Sequence, residues 1–418
     1  MRRYILASYG TVGDVDPMLA IARALCDLGE EVIFFGNPFF EDRYKRAGIE
    51  YSLTGPSLDP DILLEDPRYT HPSHGIFNIF NLIYLPMVTV LAAAIEKEIR
   101  RKPVDMIVTH MWSFGGAMAA EKAGLPYSVV SMAPVTWYSA SDPCLIGPFD
   151  PPRFLRGWLE RHPIRWVINR RFSRLLADCA ADLELPAEDR RFYSTQEKSV
   201  LNIGLWSLQF RGAAADDQPQ SKICGFPNPW QVREAPTLSH EIKSFLEAGD
   251  PPVVLGLGSA LPRFVPEVYT ITQEACRELG KRAIFVGAVE NIIDHPGSDL
   301  LIVPYAPYTA LFPRASVVIH HGGIGSLAEA LSAGLPQIVI PCGADQYDNA
   351  ARAEGLGVAH RIKRQKVNKR RLLKALRTCL TNRKLQAKAV EVAELINAET
   401  DGAMVAARSI RNSFSARM

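Results

Sequence analysis

Residues Val317–Ala350 read VVIHHGGIGSLAEALSAGLPQIVIPCGADQYDNA. The apolar run VVI delivers His320 and His321 into Gly322–Gly323–Ile324–Gly325, after which Ser326 opens a helix. PQIVIP (Pro336–Pro341) is a second short apolar strand and runs into CGADQYDNA. Short, fully apolar strands joined by a helix belong to a parallel sheet covered on both faces. Glycines at such a turn let the backbone approach an anion closely, and the free N–H groups and dipole of the helix favour a phosphate there. A histidine just before the turn can donate one more hydrogen bond to a phosphate oxygen. The stretch reads as a diphosphate site that needs no metal. Its plainer alternative is a strand–helix turn with two partly buried histidines.

The same alternation extends in both directions. VVLGLGS (Val253–Ser259), AIFVG (Ala283–Gly287) and LLIVPY (Leu300–Tyr305) precede the stretch. Nearer the N-terminus stand YILASYG (Tyr4–Gly10), EVIFFG (Glu31–Gly36), MIVTH (Met106–His110) and YSVVSMA (Tyr127–Ala133), with helical patterns at Pro17–Leu28 and Phe39–Ala47. The rhythm breaks between Ala140 and Ala215, where a basic helical segment carries Trp158 and Trp166. AAADDQPQ (Ala213–Gln220) and GFPNPW (Gly225–Trp230) then suit a linker. The expected fold is α/β: two Rossmann-like, doubly wound domains facing each other across a cleft, at 1–215 and 222–395. Residues 396–418 form a tail, one reading of which is a helix crossing back to the first domain. A chain of 418 residues has room for both domains, and 47% apolar with 22% charged residues excludes disorder, collagen and coiled coil.

Open α/β sheets bind ligands beyond the carboxyl ends of their strands, so the loops after Gly10, Gly258 and His321 are the places to look. The first turn reads G-T-V-G-D and lacks G-x-G-x-x-G, and the second strand ends at Gly36–Asn37 where a dinucleotide site needs an acidic residue. A P-loop is also absent. Asp345–Gln346 set an acceptor-only carboxylate beside a bidentate amide, a pair suited to neighbouring sugar hydroxyls or, alternatively, to capping a helix. Asp16–Pro17 reads as the N-cap and first residue of the first helix, which leaves Asp14 in the preceding loop. Asp14-Val15-Asp16 also spells D-x-D, but it abuts a proline, and no metal site is read there.

With these residues on the page, Ile319 onward resembles the donor-binding signature of the family 1 inverting glycosyltransferases of GT-B fold, matching a whole strand–turn–helix–strand–turn block. YGTVGDVDPMLAIARAL is similar to the G-[ST]-x-G-D-x-x-P start of the bacterial antibiotic, sterol and rhamnolipid members. EDPRYTHP (Glu65–Pro72), AAEKAGLPYSVVS (Ala119–Ser131) and CGFP (Cys224–Pro227) resemble most the catalytic chain of the rhamnolipid-type rhamnosyltransferases. The resemblance implies Asp14 as general base, with Thr11 beside the reacting groups. It implies donor contacts from His320 and His321, with Gly322, Gly323, Gly325 and Ser326 around the diphosphate and Ser259 near the phosphates. Asp345 and Gln346 would hold the sugar. Tyr305 falls where many members place a tryptophan stacked on the nucleobase. The cosubstrate implied is a dTDP- or UDP-sugar, dTDP-rhamnose for the rhamnolipid type, with no cofactor and no metal. Two other readings share the plan: a nucleotide-sugar epimerase and a non-catalytic sugar-nucleotide-binding partner subunit.

The acceptor side is less defined. GIFNIFNLIYLPMVTVLAAAI (Gly75–Ile95) has no charge over 21 residues, about a membrane span, yet Asn78, Asn81 and Pro86 interrupt it. It is read as a buried helix lining an apolar cavity. Asn78, Asn81 and His110, with Trp112 and Trp137, suit a lipid-like or polycyclic acceptor, a hydroxy-fatty acid for the rhamnolipid type; plain core is the competing reading. Seven scattered cysteines without a C-x-x-C suit a reducing cytoplasm and exclude a zinc site of that type. The net charge of +2 conceals a block: Arg361–Val390 holds twelve basic residues and no acidic one. Leu372, Leu373, Leu376 and Leu380 follow helical spacing there, so the block reads as a solvated amphipathic helix, or else as a surface drawn to the anionic inner membrane. No aromatic residues interleave the charges, which argues against nucleic acid.

Overall fold

The computed structural model describes residues 1–59, 75–228, 237–258, 265–287, 292–293 and 297–415. Ser259 and Glu65–Pro72 lie outside the described residues. Two parallel sheets form. The first holds β1 (Arg3–Ser8), β2 (Glu31–Gly36), β3 (Glu50–Leu53), β4 (Met106–His110), β5 (Tyr127–Ser131), β6 (Leu201–Gly204) and β7 (Ser221–Ile223), in the order β3-β2-β1-β4-β5-β6-β7. The second holds β8 (Val253–Gly256), β9 (Ala283–Val286), β10 (Leu300–Val303), β11 (Val317–His320), β12 (Gln337–Val339) and β13 (Ala359–Arg361), in the order β10-β9-β8-β11-β12-β13. The central strands are buried along their whole length, which is why their residues run apolar without alternation. Each sheet reverses its winding once: between β1 and β4 in the first, between β8 and β11 in the second. Crevices open at these two points.

Helix α1 (Val12–Asp27) starts earlier than the Asp16–Pro17 pair suggests. Thr11 is its N-cap and Asp14 its third residue, a capping box in which the Asp14 carboxylate accepts the Thr11 N–H. Asp14 therefore does carry a capping duty, and Pro17 sits inside the helix. The box wins because it satisfies an orphan N–H directly, while Asp16 is spent on an ion pair with Arg43 at 2.9 Å.

The uncharged run Gly75–Ile95 is broken into a short helix, a π-helix over Phe80–Tyr84 and a helix from Met87, with Pro86 at the break. Among the described residues no single helix is long and apolar enough to cross a membrane; Phe77–Tyr84 and Met87–Arg101 meet at about 40°. Phe80, Ile83, Tyr84, Met87, Val88 and Leu91 enter the core beside the first sheet. Two further helices, α2 (Arg153–Leu159) and α3 (Arg165–Asp182), flank a second π-helix, Glu160–Ile164.

In the second half, α4 (Ile324–Ser332) follows β11 and α5 (Gln346–Gly355) follows β12. The basic block contains α6 (Lys369–Thr381), which buries Leu372, Ala375, Leu376 and Cys379 on the second sheet and pairs Lys369 and Arg377 with Glu278. The last helix, α7 (Gly402–Ser415), packs on α1, with Ala403, Ala406, Ala407 and Ile410 wholly buried in the first domain's core. All seven cysteines are free.

Candidate active site

At the first crevice, β1 ends in Ser8 and the chain turns through Tyr9 and Gly10 into α1. Gly10 has φ +140°, and a Cβ there would collide with Asp14 Oδ2 and the Tyr84 hydroxyl. Its bareness lets both groups crowd the turn. Asp14 Oδ2 accepts from the Thr11 N–H at 2.7 Å, the Thr11 hydroxyl at 3.0 Å and the Tyr84 hydroxyl at 3.1 Å. Oδ1 faces His110 Nε2 at 3.4 Å, brought in by the end of β4 on the other side of the crevice. Burial pushes the His110 pKa down, with the Asp14 charge acting the other way, and its Nδ1 is buried without a partner among the described residues. Burial, then the Asp14 charge, raises Tyr84 well above a normal phenol, so Tyr84 is a hydrogen-bond donor at any working pH.

At the second crevice, helix α4 begins at Ile324, two residues before Ser326, with Gly323 as N-cap. The first N–H groups of a helix have no partner within it, so those of Ile324, Gly325 and Ser326 are open to an anion. His320 and His321 take different roles. His320 is wholly buried; its Nδ1 accepts the Gly322 N–H at 3.1 Å, which leaves the proton on Nε2, donated to Gln337 Oε1 at 2.9 Å. Both nitrogens are occupied, so His320 shapes the turn instead of touching the donor as expected. His321 has a buried Nδ1 with no partner among the described residues. Burial, then the neighbouring His320, lowers its pKa to about 3, so the ring is neutral.

The pair Asp345–Gln346 opens α5 from the end of β12. Gln346 Oε1 accepts the N–H groups of Cys342 and Gly343 at 2.8 and 3.1 Å, which fixes the amide. Asn349, one turn later and wholly buried, donates to Asp345 Oδ2 at 2.7 Å and to the Gly322 carbonyl at 2.9 Å. It ties Asp345 to the glycine turn after β11. Burial raises the Asp345 pKa to about 6; the Asn349 bond opposes this and the Asp14 charge adds to it.

The remaining expected residues divide. Trp112 stacks on Tyr84 at 5.6 Å and packs with Phe80, Phe172 and Phe192, so it stands in the aromatic wall behind Tyr84 and Asp14. Asn78 is half-buried on the same segment. Asn81 is exposed, because the π-helix turns its side chain outward. Trp137 is 1% exposed and packs on Trp206 at 4.7 Å in a core shared with Leu327, Leu331 and Val339 of the second domain. Trp137 is thus enclosed in the core between the two domains. Tyr305 follows β10 and is 68% exposed, an open aromatic face at the carboxyl end of the sheet.

Residues 287–411 match the family described as Erythromycin biosynthesis protein CIII-like, C-terminal domain. The vancomycin aglycone glucosyltransferase of Amycolatopsis orientalis is 29% identical over 99% of this chain and 98% of its own length. The O-mycaminosyltylonolide 6-deoxyallosyltransferase of Streptomyces fradiae is 37% identical over 38% of each chain. The chain is similar over nearly its whole length to curated glycosyltransferases and shares the fold of solved glycosyltransferases. The solved glycosyltransferase VinC, in complex with dTDP, superposes with a TM-score of 0.72 over 98% of this chain and 99% of its own, at 18% identity.

Sequence reasoning missed Tyr84, Asn349 and Gln337. Tyr84 gave no signal inside an apolar run; Asn349 could have been found as the residue one turn after Asp345. A clasp between the domains was also missed. Arg352 of α5 reaches Asp142 of the first domain at 2.9 Å and Asp348 at 2.7 Å, and Asp348 accepts the Leu145 N–H at 2.9 Å. The helix that carries the sugar pair is therefore anchored to the opposite domain.

Proposed function

We propose that the chain is an inverting glycosyltransferase that moves a sugar from a dTDP- or UDP-sugar to a hydroxyl of an apolar acceptor, with Asp14 as general base and no metal. The setting of Asp14 carries this reading: at the crevice beyond β1 its Oδ2 is held by Thr11 and Tyr84 while Oδ1 faces His110 at 3.4 Å, a carboxylate placed as a base. Oδ2 already accepts three hydrogen bonds, so Oδ1 is the oxygen that takes the acceptor proton. The freed acceptor oxygen bonds to the anomeric carbon as the carbon–oxygen bond to the diphosphate breaks. The departing charge falls on the open N–H groups of α4, with the His321 ring beside them. Asp16, the second carboxylate of D-x-D, is held by Arg43 and stays out of the reaction.

The dTDP seen in the VinC structure and the aglycone named for the vancomycin relative support a nucleotide donor and a bulky acceptor. The rhamnolipid-type resemblance makes dTDP-rhamnose with a hydroxy-fatty acid the first pair to assay. Seven free cysteines suit a cytoplasmic enzyme. The test is Asp14→Asn, assayed over dTDP- and UDP-sugars with lipid and polycyclic acceptors, with and without a chelator. Turnover is expected to fall about 10²- to 10⁴-fold while nucleotide diphosphate binding persists. Unchanged turnover, or loss of activity on chelation, sinks the reading.

A further inference from the structure

Helices α2 and α3 and the π-helix between them carry one exposed line of side chains at four-residue intervals: Phe154, Trp158, His162, Trp166, Arg170 and Arg174. In an unbroken α-helix a four-residue step drifts by about 40°, and the wider π-turn at Glu160–Ile164 offsets this drift where it would accumulate. Phe154 is 81%, Trp158 59% and Trp166 62% exposed, so three large rings stand in water. The rings lie beside cationic or basic groups: His162 is 5.7 Å from Trp158, and the Arg170 guanidinium is 5.5 Å from the Trp166 ring. From His162 to Ala177 the chain has four arginines and no acidic residue.

We propose that this ridge docks the enzyme on an anionic phospholipid surface. Tryptophan rings settle at the headgroup level of a bilayer, where the apolar body and the polar N–H are both accommodated. Arginines beside them meet phosphate and add attraction to anionic lipid. The charge is complementary to lipid and not to a second copy of the chain, because a symmetric contact would set the same arginines against one another. The basic helix α6 is the weaker candidate: its apolar stripe is buried on its own domain and offers nothing to insert. The inner face of α3 sends Phe172 and Leu176 into the aromatic wall around Trp112, and Trp112 stacks on the Tyr84 that holds Asp14. One helix thus faces the bilayer outside and the acceptor side of the cleft inside.

The full-length chain is sedimented with vesicles of phosphatidylglycerol mixed with phosphatidylcholine and with vesicles of phosphatidylcholine alone, and tryptophan emission is followed with brominated lipid. Binding to the anionic vesicles with quenching is expected, falling about tenfold or more for the double variant Trp158→Ser/Trp166→Ser and persisting for Arg370→Glu/Arg371→Glu/Lys374→Glu. Thermal midpoints and solution turnover of the tryptophan variant should match the parent, since both rings are exposed. Absent binding, or binding untouched by the tryptophan changes, overturns the proposal. So does a dimer that the double variant converts to monomer. Vesicle binding is read without donor or acceptor, so it succeeds or fails separately from the transfer reaction.

Discussion

At Asp345 a carboxylate suited to sugar hydroxyls is kept where burial, reinforced by the Asp14 charge, raises its pKa to about 6. The folded pKa lies above the ordinary value of 3.8, so ionising Asp345 costs stability as pH rises from about 4 through about 6. Asp345→Asn should therefore be more stable than the parent at pH 7, by about 1–3 kcal/mol, with the difference closing below about pH 4 in denaturant melts. Donor affinity should fall in the same variant. Identical pH–stability curves for the two proteins would count against this. Tyr84→Phe removes one donor from Asp14 Oδ2 and should lower kcat roughly tenfold with little change in the donor KM and an unaltered thermal midpoint. Asp14 and Asp345 could be singled out because each lies just after an apolar strand, in a short local motif that resembles a family signature. Tyr84 could not, because a hydroxyl 70 residues from its partner leaves no trace in periodicity.

Among the elements, the turn from β11 into α4 is the most constrained. Gly322 has φ +92°, its N–H is held by His320 and its carbonyl by Asn349, and a Cβ would lie 2.8 Å from Val339 Cγ1. Gly322→Ala should cost about 2 kcal/mol or more and abolish nucleotide diphosphate binding, read by denaturant melts and calorimetry. Gly325→Ala meets open space and should do neither. Most central strands could be read from apolar runs, since two covered faces demand them; β6 could not, because Asn202 and Gly204 interrupt its short run. The short edge strands β3, β7 and β13 could not: three or four residues at a sheet margin are partly exposed and carry mixed composition. The start of α1 was misplaced for a related reason, as a capping box and an Asp-Pro pair compete within five residues and only the backbone decides.

On the scale of the whole molecule, two domains are held by a buried charged clasp and by α7. Arg352→Met would leave the buried Asp348 without its cation, while Asp142 keeps Arg211, and should destabilise by about 2–3 kcal/mol in thermal or chemical melts. A cost below about 1 kcal/mol would mean that the clasp is solvated. The sequence by itself determined the α/β class, the pairing of two doubly wound halves, the glycine-rich strand–helix turn and the carboxylates at strand ends. These follow from short-range rules: a covered strand must be apolar, and a turn that approaches an anion must be bare. Only the tertiary structure decided that His320 is scaffold while His321 is open, that Trp137 seals the domains, and that Tyr84 and His110 converge on Asp14. Each of those depends on where two sheets reverse their winding and on what lies across the cleft, and no local pattern records a distance between residues far apart in the chain.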